Sequence, residues 1–140
     1  MVNSRSLSDL LPQVAVKAYR LVELCAEEDL QIIITSTYRD RECQEVLYAQ
    51  GRAMLAGPKA TWCRPGFSWH EYRRAFDVMP LFMGKPCATV KSTHKAIWFK
   101  LGALGEAIGL KWGGRWEMHP DWSHFYLPEG MTLARLNHLT

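Results

Sequence analysis

The sequence predicts an α+β fold, and three observations carry that expectation. Two segments, 12–28 and 92–109, repeat apolar residues at helical spacing. Three shorter segments, 30–35, 75–79 and 124–127, are rich in β-branched or aromatic residues and have the length of strands. No internal repeat or low-complexity linker divides the 140 residues, of which 48% are hydrophobic and 22% charged. A single domain over 1–140 is therefore expected, large enough to bury roughly two thirds of its unfolded surface without disulfides.

The first helix is expected from Pro12 to Glu28, with Val14, Ala18, Leu21, Val22 and Cys25 on one face and Pro12 in a first-turn position. Leu30 to Thr35 follows as a buried strand, ending in polar Ser36 and Thr37. Asp40 is placed to cap a second helix through Val46, Leu47 and Ala49, closed by Gly51. Gly57 to Ser68, containing Pro58, Pro65 and Gly66, reads as a loop. Ala75 to Met79 is a second strand, stopped by Pro80. Ser92 or Thr93 is expected to cap a helix through Ile97, Phe99, Leu101, Leu104 and Ile108, with Gly109 as terminator. Gly113 and Gly114 make a turn, and His124 to Leu127 forms the last strand before Pro128.

Composition narrows the function. Charged residues interrupt every apolar run well short of the ~18 needed to cross a bilayer, so no membrane insertion is expected. The formal net charge is only +3 and no block of like charges occurs, which disfavours a dedicated nucleic-acid binder. Met1 to Leu10 lacks an apolar core and a small-residue cleavage site, so no signal peptide is expected. Cys25, Cys43, Cys63 and Cys87 are evenly spread without a C-x-x-C pair, the pattern of reduced thiols in a cytoplasmic product.

The chemistry concentrates in two segments. Ser68-Trp69-His70-Glu71-Tyr72-Arg73-Arg74-Ala75-Phe76-Asp77 puts a histidine where a loop ends and a carboxylate inside the next strand. Asp121-Trp122-Ser123-His124 occupies a second loop-to-strand junction. His70, Asp77 and His124 supply two imidazoles and one carboxylate, the ligand set of a catalytic zinc that keeps its fourth position open. Asp121 is then free to act as general base. Asp77 is the better clue, because a mid-strand carboxylate between Phe76 and Val78 is costly to bury without a metal or a partner. Simpler roles compete: a salt bridge from Asp77 to Arg74 or Arg39, and a turn role for Asp121 after Pro120. His119 and Glu117 stand as alternative ligand and base, expected to face solvent. Cys63 is a further conceivable ligand, with a half-buried thiol as its ordinary fate. His94 and His138 are expected on helix surfaces.

Ser68-x-His70-x-x-Arg73-x-Ala75-x-Asp77 resembles the S-x-H-x-x-G-x-A-x-D signature of the zinc D-alanyl-D-alanine carboxypeptidases and bacteriophage L-alanyl-D-glutamate endopeptidases. Those enzymes are peptidoglycan-cutting relatives of the hedgehog fold. Thr37-Tyr38-Arg39 with Gln44, and Leu47 to Arg52, are similar to the family segment that carries an essential arginine. Trp112-Gly113-Gly114-Arg115-Trp116 and Asp121-x-x-His124-Phe125 are similar to its closing elements.

The resemblance implies a small, mainly antiparallel sheet flanked by helices, with a zinc cleft at the strand ends. It makes His70, Asp77 and His124 the ligands of one Zn2+ per chain and Asp121 the catalytic base. Arg39 would face the carbonyl oxygen, unless it is spent on an ion pair with Asp40 or Glu42. Ser68, Gln44 and Trp116 would contact substrate, with Ser68 alternatively capping its loop. Trp62, Trp69, Trp112, Trp116 and Trp122 are expected as cleft walls and core.

Two residues depart from the family pattern: Arg73 replaces the usual glycine, and Arg115 stands where an acidic residue is common. The function expected is an endolysin-type L-alanyl-D-glutamate endopeptidase acting on peptidoglycan. Such a monomer would remain cytoplasmic until lysis and then reach the periplasm and cell wall. The alternatives are a D-alanyl-D-alanine carboxypeptidase and, in a different class, a zinc-bearing binding module without catalysis.

Overall fold

A computed structural model describes residues 1–52, 57–87 and 93–140. Helix α1 spans Pro12–Glu27 and turns Val14, Ala18, Leu21 and Cys25 into the core. Val22, one position off that stripe, is 36% exposed. Strand β1 (Ile32–Ser36) starts later than the apolar run suggested, and it is an edge strand, not a buried one, with Ile33 44% exposed. Helix α2 (Arg41–Ala49) begins where expected, because the Asp40 carboxylate accepts a hydrogen bond from the Cys43 amide at 2.8 Å.

Strand β2 runs from Ala75 to Phe82, straight through Pro80. The proline is tolerated for a reason of register. Ile32 pairs with Pro80, and the Leu81 amide bonds to the Gln31 carbonyl, so Pro80 occupies a non-hydrogen-bonded position against β1. On its other side, pairing with β5 (His124–Tyr126) has ended and a short hairpin with β3 (Lys85–Pro86) begins. Only one ladder donor is lost there, and the Pro80 carbonyl still accepts from the Cys87 amide at 3.0 Å.

Helix α3 covers Lys95–Ala107. His94 stands at its N-cap without a side-chain cap, Thr93 lies in the preceding turn, and Ser92 falls outside the described residues. Strand β4 (Lys111–Trp112) completes an antiparallel sheet of order β1-β2-β5-β4, with β3 on β2. The α+β fold with a small antiparallel sheet and flanking helices is as the sequence predicted. A C-terminal helix α4 (Leu133–Leu139), capped by Thr132, was not expected. It buries none of its residues and so shows no strong apolar stripe.

One face of the sheet packs on α1 and α3 through Phe76, Val78, Trp112 and Phe125. The close approach of α3 depends on Gly102 and Gly105, where an added Cβ would overlap the rings of Trp112 and Phe125. Trp112 and Trp122 belong to this core and not to the cleft. Because side chains alternate along a strand, Asp77 and His124 point away from Phe76 and Phe125, toward the opposite face. No helix among the described residues is long and apolar enough to cross a membrane.

Candidate metal centre and active site

Asp77 on β2 and His124 on β5 are directly opposite each other. The flanking backbone bonds, Val78 to Ser123 at 2.9 Å and Leu127 to Arg74 at 2.9 Å, make this a non-hydrogen-bonded pair. In such a pair the side chains come closest. His70 arrives from a single 3-10 turn, Trp69–Tyr72, clamped at both ends. At its start, Ser68 Oγ accepts from the His70 amide at 3.3 Å and the Glu71 carboxylate accepts from the Ser68 amide at 3.0 Å, a capping box. At its end, Arg73 adopts the left-handed conformation with φ 59°. The glycine of the family motif is thus replaced without losing the positive φ. Two contacts offset the cost: the guanidinium donates to the Asp9 carbonyl at 2.8 Å and lies 3.8 Å from the Tyr38 ring centroid.

Three donor atoms converge. Asp77 Oδ1 lies 3.3 Å from His70 Nε2 and 3.2 Å from His124 Nδ1. Two ligand atoms bound at zinc distances on a tetrahedral ion sit about 3.3 Å apart, so the spacing fits one metal ion. The ligand atoms of all three residues fall within 4.8 Å of one another, the only such group among the described residues. His70 Nδ1 donates to the Thr37 carbonyl at 2.7 Å, which leaves the Nε2 lone pair aimed at the cluster. His70 Nε2 and His124 Nε2 are buried without a hydrogen-bond partner among the described residues. Burial alone would raise the Asp77 carboxyl, but the adjacent His70 and His124 side chains outweigh it and hold the group well below the usual carboxylate range. The simpler partners for Asp77 are not used: Arg74 binds Glu129 at 3.1 Å and the carbonyls of Leu127 and Pro128.

A cleft of about 480 Å³ opens over these residues, and Arg39, Ser68, Trp116 and Asp121 all line it. Arg39 forms no ion pair among the described residues, because Asp40 and Glu42 face the N-terminal amine instead. Its Nε is buried without a partner, and its amide donates to the His70 carbonyl at 3.3 Å. Asp121 keeps its turn role through its backbone, yet its carboxylate is held by Ser123 Oγ at 3.0 Å beside the cleft. Trp116 is fixed by a 3.0 Å bond from its indole N–H to the Tyr126 hydroxyl, with its ring 5.0 Å from that of His124.

Other expectations need correction. Gln44 is fully buried and lies outside the cleft lining. Its amide donates to the Cys63 carbonyl at 2.6 Å, so it pins the wall from behind. Cys63 lines the cleft without joining the three-residue group, and burial pushes its thiol up. His119 is exposed, as expected, and stacks on Trp62 at the cleft. Glu117 is exposed. His94 packs 5.4 Å from the Phe82 ring and is half-buried, while His138 lies exposed on α4. Arg115, the other departure from the motif, is absorbed by a forked pairing with Glu106 at 3.0 to 3.3 Å.

Thr37 and Glu71 escaped the sequence reading. Glu71 was legible in principle, since Ser68-x-x-Glu71 has capping-box spacing; Thr37 acts through its carbonyl, which no sequence signal marks.

The profile of a family described as D-alanyl-D-alanine carboxypeptidase matches residues 63–127, the stretch that holds the three candidate ligands and Asp121. The chain is 29% identical over 125 residues to the peptidoglycan L-alanyl-D-glutamate endopeptidase CwlK of Bacillus subtilis, covering 84% of this chain and 72% of that protein. Among solved structures, the Serratia marcescens L-Ala D-Glu endopeptidase ChiX aligns with a TM-score of 0.60 at 18% identity over 90% of this chain and 88% of that one. The vancomycin resistance D,D-pentapeptidase VanY, crystallised in complex with Zn(II), aligns with a TM-score of 0.60 at 18% identity, over 91% and 83% of the two chains.

Fold, sequence match and site together are similar to those of metallopeptidases. More particularly, the chain is similar to a D-alanyl-D-alanine carboxypeptidase family over residues 63–127 and to an L-alanyl-D-glutamate endopeptidase over 125 residues.

Proposed function

We propose that this protein is a zinc-dependent hydrolase of peptidoglycan stem peptides, cutting the bond between L-alanine and D-glutamate. The observation that carries the reading is the convergence of His70, Asp77 and His124 in one cleft with Arg39 and Asp121. His70, Asp77 and His124 would hold one zinc per chain, which when bound would supply Lewis acidity to the scissile carbonyl and a water of pKa about 7. Asp121 takes the proton of the attacking water and returns it to the leaving amine, its carboxylate steadied by Ser123. Arg39, free of local carboxylates among the described residues, turns its guanidinium to the negative charge that develops on the carbonyl oxygen. Trp116 and Trp69 flank the peptide, and Ser68 shapes the floor by capping the turn that holds His70.

Likeness to CwlK and ChiX, both named as L-Ala-D-Glu endopeptidases, supports that bond. The family description and VanY favour a second reading, removal of a terminal D-alanine. A binding module without catalysis has less support, since both Arg39 and Asp121 face the cleft. The phage or prophage endolysin role, with a monomer held in the cytoplasm until lysis, rests on the motif resemblance alone. Digestion of purified peptidoglycan followed by mass spectrometry decides the bond. New D-glutamate amino termini are expected, and release of free D-alanine alone would replace the endopeptidase reading with the carboxypeptidase one.

A further inference from the structure

Trp62 and His119 come from the two loops that wall the cleft, and both line it. Their rings stack 3.7 Å apart with only 10° between the planes. The walls therefore touch, and the cleft is closed where they meet. Trp62 is 55% exposed, with the imidazole stacked on its ring and the Lys59 ammonium 4.7 Å from the ring centroid.

The consequence depends on the shape of the substrate. A peptide whose chain ends inside the cleft can enter past a closed contact. A stem joined to glycan at one end and cross-linked at the other cannot, because neither end is free to thread. We infer that the Trp62–His119 stack is a latch that sets substrate class: shut, it admits peptides with a free end, and parted, it admits stems anchored at both ends. The inference rests on the stem-peptide reading above. A single exposed stack favours the closed state by roughly 3- to 10-fold, small enough to open and large enough to discriminate. Only the open fraction binds a branched substrate, so its apparent affinity falls by that fraction.

The test compares two substrates, soluble stem peptides and intact cross-linked sacculi, on wild type, Trp62→Ala, His119→Ala and Trp62→Phe. The initial rate on sacculi divided by that on soluble peptide should rise roughly 3- to 10-fold in both alanine variants. Trp62→Phe, which keeps a stack, should stay near the wild-type ratio. Two variants on separate loops guard against local unfolding of either one. An unchanged ratio in both alanine variants overturns the latch, and so does a lowered one, the result a carbohydrate platform would give. If the wild type cuts neither substrate, the hydrolase reading itself fails and the latch falls with it.

Discussion

The floor of the cleft stands on paired strands, whereas its walls are loops. Asp77 and His124 face each other across the β2–β5 ladder, and the turn holding His70 is capped at both ends. The walls are tied instead by scattered contacts, among them the Gln44 amide behind Cys63, the Arg52 guanidinium on the Thr61 carbonyl, the Trp116 indole on Tyr126 and the Trp62–His119 stack. The difference teaches a division of labour. Groups that must be held to fractions of an ångström sit on the sheet, and groups that must meet a variable polymer sit on the loops.

Substitutions on each side should separate those roles. The largest effect is expected at Asp121. Asp121→Asn keeps the ligands and the loop, so metal content should stay at the wild-type level while turnover falls by ~10² or more. A wild-type rate would move the base elsewhere, with Glu117 next in line. Arg39→Ala comes second, with about 3 kcal/mol of transition-state stabilisation lost mainly in kcat, and Arg39→Lys recovering only part because a point charge lacks the planar fork. An unchanged kcat with a lowered melting temperature would make Arg39 structural.

The third substitution strikes the floor from behind. Gly105→Ala forces a Cβ onto Phe125, the neighbour of His124 on β5, and overpacking of that kind costs about 1 to 3 kcal/mol. Denaturant unfolding should show it, and metal affinity should drop with it; a loss of stability with no change in affinity would uncouple β5 from the centre.

The smallest effect concerns pH. Burial pushes the Cys25 thiol up to about 11. The unfolded thiol ionises near pH 8.5 whereas the folded one stays protonated, so its contribution is complete below that pH and fades as the pH rises through about 11. Cys25→Ala should flatten that part of the stability curve, and an unaltered alkaline slope would contradict the burial argument.

Much of this was readable from the chain alone. Asp77 stood out because a carboxylate between Phe76 and Val78 needs a partner, and His70 and His124 because both end loops that feed strands. What escaped the reading was set by tertiary geometry. Pro80 looked like a stop, but register places it where its missing N–H costs little. Gln44 looked like a substrate contact because spacing cannot tell which side of a wall a residue occupies. The Trp62–His119 stack joins loops far apart in sequence and has no local signature. Arg73 carries a φ usually reserved for glycine, and its contacts with Asp9 and Tyr38 depend on residues distant in sequence.

The most direct test is the metal content of the purified protein measured by elemental analysis, beside His70→Ala and His124→Ala. A three-ligand centre requires about one zinc per chain in the wild type and its loss in both variants. Full zinc occupancy in both variants would mean that the metal lies elsewhere and that His70, Asp77 and His124 are only a buried polar cluster.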